Sequence, residues 1–442
     1  PIPRIPLFSR GAGDLRDLGW STAFEDMHLR MTKEYPFTAW KGIDWDGLYT
    51  EYAPRIAEAE KQEDEEAYYV ALREYLYSIP DGNIRIEAEE EYMENAVGAS
   101  YGFSVVPLDD DSYVVYRVVP GSPAKQAGMQ WGAEVLTWNE KAVSEAVGET
   151  PVLWAEAPPA TDERRLLDQC LFLTRAPEGT EGTVSFLNPG SITRWVANLE
   201  AAPDGNIGLE YVVNYEKDFS EFESPIDSEI LDSGYGYINI KFLAPTVMLP
   251  FPARAFKNTI KDFNEADVPG LILDVRGNKG GDDGLAVKFL GHFVQESTFY
   301  RDVAFYEEAV GEFVIDPEQR LVVAPAEPYF GKPIVVLIHT TTLGAGEGIA
   351  MILQNLPHAQ TVGLTGTHGS FGVVGGEILM PGDHTMYYPV GRSLGEDGEI
   401  LLDSNAEGHG GVQPDVRVPA TREALEAQYK RDVDFVLEQA LA

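Results

Sequence analysis

From residue 233 onwards, short β-rich stretches alternate with longer amphipathic stretches. The β-rich stretches are 236–242, 270–275, 333–339 and 361–363, and the amphipathic ones are 253–264, 284–294 and 346–356. Strands and helices that alternate in this order are typical of an α/β core. This alternation constrains the fold of the chain more than any other feature.

The whole chain has 442 residues, which is too many for one hydrophobic core, so domains besides this α/β core are expected. Residues 14–95 have apolar and charged residues at helical spacing, with the best helix formers in 56–77. A turn signal at residues 80–83 ends this helical region.

Residues 96–205 have a different character. Two β-rich runs, 101–106 and 113–119, flank an Asp-Asp-Asp turn at 109–111, and a helix near 162–173 and strands at 182–187 and 194–199 follow. We therefore predict three domains, at 1–95, 96–205 and 206–442. A polar linker at 201–232 and a final amphipathic helix at 422–441 are also predicted.

The net charge of −39, from 72 acidic and 33 basic residues, argues against nucleic acid as a partner, because such a surface repels phosphates. Two explanations of this negative charge remain open: solubility in a salty external medium and attraction of a basic substrate. The sequence has a single cysteine, Cys170, which we interpret as a buried core thiol.

The sequence shows no membrane span, no cofactor and no metal site. No apolar run approaches the ~20 residues that a bilayer requires. His339, His384 and His409 lack the spacing of metal ligands. The given sequence begins Pro-Ile-Pro-Arg and shows no signal peptide. We therefore expect that a leader was removed or is not included in it.

The β-rich middle region resembles a PDZ domain of the bacterial protease type. The resemblance is carried by residues 101–105, by Pro-Gly-Ser-Pro-Ala at 120–124, by Ala-Gly-Met at 127–129 and by 132–136. In such a domain an extended peptide adds to a sheet edge and loop amides receive its terminal carboxylate. The resemblance implies peptide binding by Tyr101, Gly102, Phe103, Ser104 and Val105, although a domain that only packs as a lid is the alternative.

Four spaced motifs in the rest of the chain closely resemble the tail-specific, or carboxy-terminal processing, serine peptidase family. They lie at 235–242, 270–281, 334–347 and 407–415, and residues 35–45 fit the family's helical domain. The resemblance spans roughly residues 15–440. It implies an α/β (α+β multidomain) fold with an N-terminal helical domain, a PDZ-like β domain and a crotonase/ClpP-like ββα peptidase core.

The residues that the family uses for cleavage are absent from the matching positions. The family's serine nucleophile, placed three residues before a glutamate, corresponds to Gly344 before Glu347. Its lysine base corresponds to Ser370, its acidic or amide helper to Asn355, and the histidine of a sister branch to Asn83. Loss of such a nucleophile typically lowers turnover by roughly a millionfold.

The backbone of the oxyanion hole is expected to survive. The resemblance assigns it to Gly280, Gly281 and the amide of Ala345, with Lys279 in place of the usual proline. Backbone amides at such positions stabilise a developing oxyanion. A tight strand-to-helix turn is the alternative reading of the same glycines.

A rewired catalytic pair is possible near the expected cleft. His368 and Ser370 are two residues apart, so on a strand they point to one face, and His368 is a candidate base for Ser370 or for a threonine at 340–342. The alternative is that His368 is a polar loop residue.

Three functional hypotheses follow. The first is a catalytically impaired homologue that binds extended peptides or the C-termini of unfolded proteins. The second is an active serine-type peptidase, either rewired or carrying a substitution introduced at 344, and the third is a carrier of a small apolar ligand. The resemblance implies a periplasmic or secreted location, and the oligomeric state is left open.

Overall fold

The computed structural model of the chain describes residues 13–205, 222–430 and 434–442. The chain forms two compact units. The first contains Pro1–Glu87, Glu156–Thr161 and Asp218–Arg417, and the second contains Ala88–Ala155, Asp162–Lys217 and Val418–Ala442.

The helices of the described residues are α1 (Trp20–Glu34), α2 (Trp45–Gln62), α3 (Glu65–Tyr77), α4 (Glu90–Val97), α5 (Pro123–Gln126), α6 (Val143–Gly148), α7 (Asp162–Phe172), α8 (Pro252–Glu265), α9 (Asp283–Leu290), α10 (Ala345–Gln354), α11 (Arg422–Lys430) and α12 (Phe435–Leu441).

The strands of the described residues are β1 (Gly13–Asp14), β2 (Arg85–Ile86), β3 (Ala99–Ser100), β4 (Phe103–Pro107), β5 (Tyr113–Val118), β6 (Glu134–Trp138), β7 (Lys141–Ala142), β8 (Arg175–Ala176), β9 (Glu181–Leu187), β10 (Arg194–Glu200), β11 (Ala202–Pro203), β12 (Ile226–Ile230), β13 (Gly236–Ile240), β14 (Leu271–Asp274), β15 (Thr298–Glu307), β16 (Glu312–Ile315), β17 (Leu321–Val323), β18 (Ile334–Leu337), β19 (Ala359–Gly363), β20 (Val373–Met380), β21 (His384–Leu394) and β22 (Val416–Arg417).

The central sheet of the first unit has the order β12-β13-β14-β18-β19-β22. All neighbours from β13 to β22 are parallel, with Ile238 opposite Leu273, Leu273 opposite Val336 and Val336 opposite Thr361. The central strands β14 and β18 are nearly continuous apolar runs, as expected for parallel strands that are covered on both faces. The α/β fold class is thus confirmed.

Helix α8 illustrates why these segments become helices. Pro252 occupies its first turn, where the missing N–H costs nothing, and Phe256, Ile260 and Phe263 recur at helical spacing and are buried. They join the core formed by the central sheet with α9 and α10.

A second sheet in the same unit runs β1-β20-β21-β15-β16, with β2 and β17 added at its sides. The strand β2, just after the turn at 80–83, pairs with β21 through Arg85 opposite Tyr387. The N-terminal helices therefore share a unit with the α/β core, which differs from the predicted boundary at residue 95.

In the second unit a sheet of order β10-β9-β6-β5-β4 carries β7 at its side, and α7 packs against β4. Helix α11 belongs to this unit as well, because Leu425 packs with Val106, Val114 and Tyr116. The predicted helix at 422–441 is found as α11 and α12, and residues 431–433 lie outside the described residues.

Two other predicted segments differ in detail. The helix-forming stretch 56–77 is divided between α2 and α3, because Glu63 adopts a left-handed conformation with φ 55° and Asp64 caps α3 by accepting from the Ala67 amide. The predicted linker 201–232 contains β11 and β12, and its residues 206–221 lie outside the described residues.

Candidate functional site

Three loops of the first unit follow the carboxyl ends of the neighbouring parallel strands β14, β18 and β19. Carboxyl ends of parallel strands meet at one edge of a sheet, where sites of α/β proteins commonly form. The loops contain Gly280, Gly344 and Ser370 respectively. The amide of Leu343 donates to the carbonyl of Asn278 at 2.8 Å, and the amide of His368 donates to the carbonyl of Thr342 at 2.9 Å, so the loops are in contact.

Gly344 lies at the sharp turn from β18 into α10, immediately before the helix. Its φ of 57° and ψ of −125° are disfavoured for residues with a side chain. Serine nucleophiles of hydrolases that sit on a strand-to-helix turn occupy a similarly strained position. A Cβ atom at 344 would have ordinary contact, at 3.6 Å, with Gly280 Cα. The turn therefore has space for a side chain, but glycine supplies no hydroxyl.

Glu347, the residue by which the family motif is matched to Gly344, is the centre of a hydrogen-bond network. Its Oε2 accepts from the amides of Gly344 and Ser370, both at 3.1 Å. Its Oε1 accepts from the Gly369 amide at 2.7 Å and from Thr367 Oγ1 at 2.6 Å. The side chain is fully buried, and desolvation raises its pKa to about 7 against the effect of these four donors.

The candidate oxyanion amides lie beside this turn. The Gly280 amide donates to Asn278 Oδ1 at 2.8 Å, so it is occupied in this state. Within the described part of the chain, the Ala345 amide at the start of α10 has no hydrogen-bond acceptor. Gly281 has φ 128°, and a Cβ atom there would lie 2.3 Å from the Leu243 carbonyl oxygen, so the close approach of the two segments requires glycine.

His368 and Ser370 lie close together in the loop between β19 and β20, not on a strand, with Gly369 between them at φ 78°. His368 Nδ1 lies 3.2 Å from Ser370 Oγ, and the Gly82 amide donates to the same oxygen at 2.9 Å. The imidazole packs against Gly82, where an added Cβ would be only 2.3 Å from the ring. Both side chains are buried, with Ser370 at 0% exposure, so His368 is a loop residue whose imidazole is shielded from solvent.

The two asparagines are placed differently. Asn83 is buried next to this cluster, with Nδ2 3.4 Å from the Gly372 carbonyl oxygen. Asn355 ends α10, roughly 16 Å along the helix from Gly344 at 1.5 Å per residue. It is exposed and donates to the Met351 carbonyl at 2.8 Å. The structure does not bring Asn355 to the loops that carry the other candidates.

The threonines after β18 shape the turn. Thr342 Oγ1 donates to the Val275 carbonyl at 2.9 Å, and Thr341 Oγ1 accepts from the Gly277 amide at 3.1 Å. Thr340 Oγ1 is buried without a hydrogen-bond partner in the described chain. These contacts join the loops after β14 and β18.

A buried charged group next to the site was not predicted from the sequence. Lys41 Nζ donates to the Pro80 carbonyl at 3.0 Å, to the Ser404 carbonyl at 3.0 Å and to Ser404 Oγ at 2.8 Å. Desolvation raises the pKa of the fully buried Asp403 well above its usual range, Lys41 opposes this, and Asp81 adds to it. Lys41 lies in the Tyr35-to-Trp45 motif that fits the family's helical domain, which is the signal that could have identified it.

The predicted peptide loop lies at the start of β4 in the second unit. Gly102, with φ 85°, accepts at its carbonyl from the Val119 amide at 2.9 Å and from Ser122 Oγ at 3.1 Å. Its own amide donates to Ser100 Oγ at 3.2 Å. Tyr101, Phe103, Ser104 and Val105 are buried, and β4 forms one edge of its sheet.

The described residues contain no group of three or more His, Cys, Asp or Glu side chains that is arranged to hold a metal ion. None of their helices combines the length and the apolar character that a bilayer crossing demands.

Comparison with known proteins links these features to peptidases. The family described as Peptidase family S41 matches residues 234–418, and the Tricorn protease C1 domain matches residues 17–65. The carboxy-terminal processing protease CtpA of Bacillus subtilis (strain 168) is 23% identical over 363 residues, which is 81% of this chain and 65% of that protein. A carboxyl-terminal-processing protease of Synechocystis sp. is 23% identical over 67% of this chain and 60% of its own length. The chain thus spans less than two thirds of these relatives.

Solved structures show the same fold over nearly the whole chain. Mature CPAF superimposes with a TM-score of 0.65 at 15% identity, covering 96% of this chain and 97% of that one. A peptidase-like protein of Parabacteroides merdae gives a TM-score of 0.53 at 14% identity, with 96% of both chains covered.

Proposed function

This chain belongs to the tail-specific, carboxy-terminal processing S41 peptidase family, and from that premise we propose that it binds extended peptides or protein C-termini without serine chemistry at residue 344. The observation that carries the proposal is Gly344, which holds the strained turn before α10 and offers no hydroxyl. Without a nucleophile, no acyl-enzyme forms at this position. The Ala345 amide beside it remains suited to hold a peptide carbonyl or carboxylate oxygen.

The edge of β4 supports peptide binding in the second unit. Because the Gly102 carbonyl bonds to Val119, the alternation of an antiparallel ladder directs the backbone groups of Phe103 away from β5. The backbone of Val115 bonds towards β6, at Ala133 and Gly132, so its partner Val105 also directs its backbone groups outwards. An extended peptide that adds to β4 would use these groups.

Calorimetry with paired peptides tests the binding role. A peptide with a free C-terminus is expected to bind at least ~10-fold more tightly than its C-terminal amide, since hydrogen bonds to a charged acceptor are the stronger ones. Ser122→Ala removes the hydroxyl that supports the Gly102 loop and is expected to weaken binding, whereas Ser112→Ala in the β4–β5 turn serves as the control. Equal affinity for both peptides would contradict capture of the carboxylate.

The contact between His368 and Ser370 favours a second candidate, an active hydrolase with rewired residues. His368 could accept the Ser370 proton across 3.2 Å, but the fully buried serine would first have to become accessible. Turnover of an unstructured polypeptide that disappears in both Ser370→Ala and His368→Ala, while the folded state persists, would establish this activity. Wild-type protein without turnover would rule it out.

We also propose that the protein works in the periplasm or outside the cell. Its net charge of −39 suits solubility in a salty medium, and the family resemblance implies such a location. Fractionation of source cells, followed by immunodetection, tests this, and exclusive recovery from the cytoplasm would contradict it.

A further inference from the structure

Among the described residues, the strand β10 forms one edge of the second unit's sheet. In the described part of the chain it pairs only with β9, along all seven of its residues. Two of its apolar side chains are exposed, Trp195 at 47% and Val196 at 66%, whereas Leu199 is buried. An open edge strand with apolar side chains is a template for pairing with another strand.

The hydrogen bonds of neighbouring residues show which backbone groups of β10 face outwards. Thr183 exchanges bonds with Asn139 on the β6 side, so its β10 partner Asn198 is not bonded to it. Just beyond the strand, Ala201 exchanges bonds with Thr180 and Gly179 on the β9 side. Odd-numbered residues therefore bond inwards, and alternation directs the groups of the even-numbered residues outwards, namely Arg194, Val196, Asn198 and Glu200.

We propose that β10 pairs antiparallel with β10 of a second copy of this chain, about a two-fold axis that passes through Ala197. In this register Arg194 lies opposite Glu200 of the second copy, and Val196 lies opposite Asn198 of the second copy. Both pairs join residues with outward backbone groups, so they form the hydrogen-bonded pairs of the new ladder. The two Ala197 residues face each other as a non-hydrogen-bonded pair.

The side chains of β10 are self-complementary in the same register. Each Arg194 meets a Glu200 carboxylate on the exposed face, and opposite charges directly across a ladder stabilise it. On the other face the exposed Trp195 lies opposite Leu199 of the second copy, whose side chain is buried in the core of its own unit. The strand carries one positive and one negative side chain, so the pairing does not add to the repulsion between two chains of charge −39. This symmetry points to a second copy, since an isologous interface must match itself.

Disulfide trapping tests the register. Non-hydrogen-bonded partners have Cα atoms about 4.5 Å apart, within the span of a disulfide, so Ala197→Cys should cross-link two copies on mild oxidation. Val196→Cys is the matched control, because it lies diagonal to its own counterpart at about 7–8 Å and should not cross-link. The native Cys170 is buried, and wild-type protein shows how much cross-linking this cysteine contributes by itself. Equal cross-linking of both variants, or none, would overturn the proposed register.

Sedimentation of the full chain tests the association itself. A concentration-dependent monomer–dimer equilibrium is expected. Val196→Pro removes an N–H that the single copy does not use and should raise the dissociation constant at least ~10-fold, whereas Val196→Thr should not. Near-ultraviolet circular dichroism confirms that both variants are folded.

A charge exchange provides a rescue. Glu200→Arg places like charges opposite each other at both ends and should weaken association roughly tenfold, and the double variant Arg194→Glu/Glu200→Arg should restore it. A chain that stays monomeric up to ~200 µM, far above the micromolar affinities typical of specific association, would overturn the proposal. So would a dimer that is unaffected by Val196→Pro.

Discussion

Glu347 accepts from the amide of Gly344, three residues before it, at 3.1 Å, and the same carboxylate holds the loop that contains Ser370. One buried side chain therefore holds both the turn at Gly344 and the loop at Ser370, the two positions that the family resemblance matches to a nucleophile and its base. Glycine at 344 offers no hydroxyl, yet its backbone is held by this carboxylate.

Replacing Glu347 by Gln should destabilise the protein. The amide nitrogen cannot accept a hydrogen bond, so it leaves some of the four donors without a partner. Each unsatisfied buried donor costs ~1–3 kcal/mol, and we expect a loss of at least about 2 kcal/mol in the free energy of unfolding. Denaturant unfolding measures it. The exposed Glu399→Gln in the turn after β21 is the control, and a loss no larger than this control would contradict the network's importance.

The pH dependence of the Glu347 contribution has a defined sign. Its pKa is raised from 4.5 to about 7 in the folded state, so the folded protein binds the proton more tightly than the unfolded chain. The stability of wild type relative to Glu347→Gln should therefore be greatest below pH ~4.5 and fall by roughly 3 kcal/mol as pH rises through 7. Unfolding curves of both proteins between pH 4 and 8 measure this difference. A difference that grows with pH would show that the four donors outweigh desolvation.

Gly344→Ser should fold, because a Cβ atom has space there, but it should lose roughly 1–2 kcal/mol through the left-handed backbone. Gly344→Ala carries the same strain without a hydroxyl and is the control. We expect neither variant to hydrolyse an unstructured polypeptide, because the matching base position holds Ser370 rather than lysine. Cleavage by Gly344→Ser but not by Gly344→Ala would show that a general base is already in place and that the site lacks only a nucleophile at residue 344.

Lys41→Met should destabilise the first unit strongly. It leaves the carbonyl oxygens of Pro80 and Ser404 without their donor, and it removes the charge that opposes the raised pKa of Asp403. Loss of a buried, hydrogen-bonded charge typically costs ~3–5 kcal/mol. Thermal unfolding measures the effect against the exposed Lys33→Met. Similar melting temperatures for the two variants would contradict a structural role for Lys41.

The sequence predicted the parts of the fold that depend on local pattern. The apolar runs of β13, β14 and β18 and the periodicity of α8 identify the α/β core, and the motif before Glu347 identifies the turn at Gly344. His368 and Ser370 do lie in contact, but in a loop between β19 and β20 in which Gly369 has φ 78°, so the strand spacing does not account for the contact.

The parts that were missed depend on contacts distant in sequence. Lys41 meets Ser404 across more than 360 residues, and β2 joins β21 across some 300, so no local pattern reveals either contact. The family resemblance assigns a helper role to Asn355, but the length of α10 puts this residue at the far end of the helix from Gly344.

Helix α11 packs Leu425 against one face of the β4–β5 hairpin, although more than 300 residues separate them in sequence. Residues of the first unit end at Arg417, whereas the second unit also needs the segment from Val418 onwards. During synthesis the hairpin's apolar face must therefore stay uncovered, or be shielded by other means, until α11 has been made.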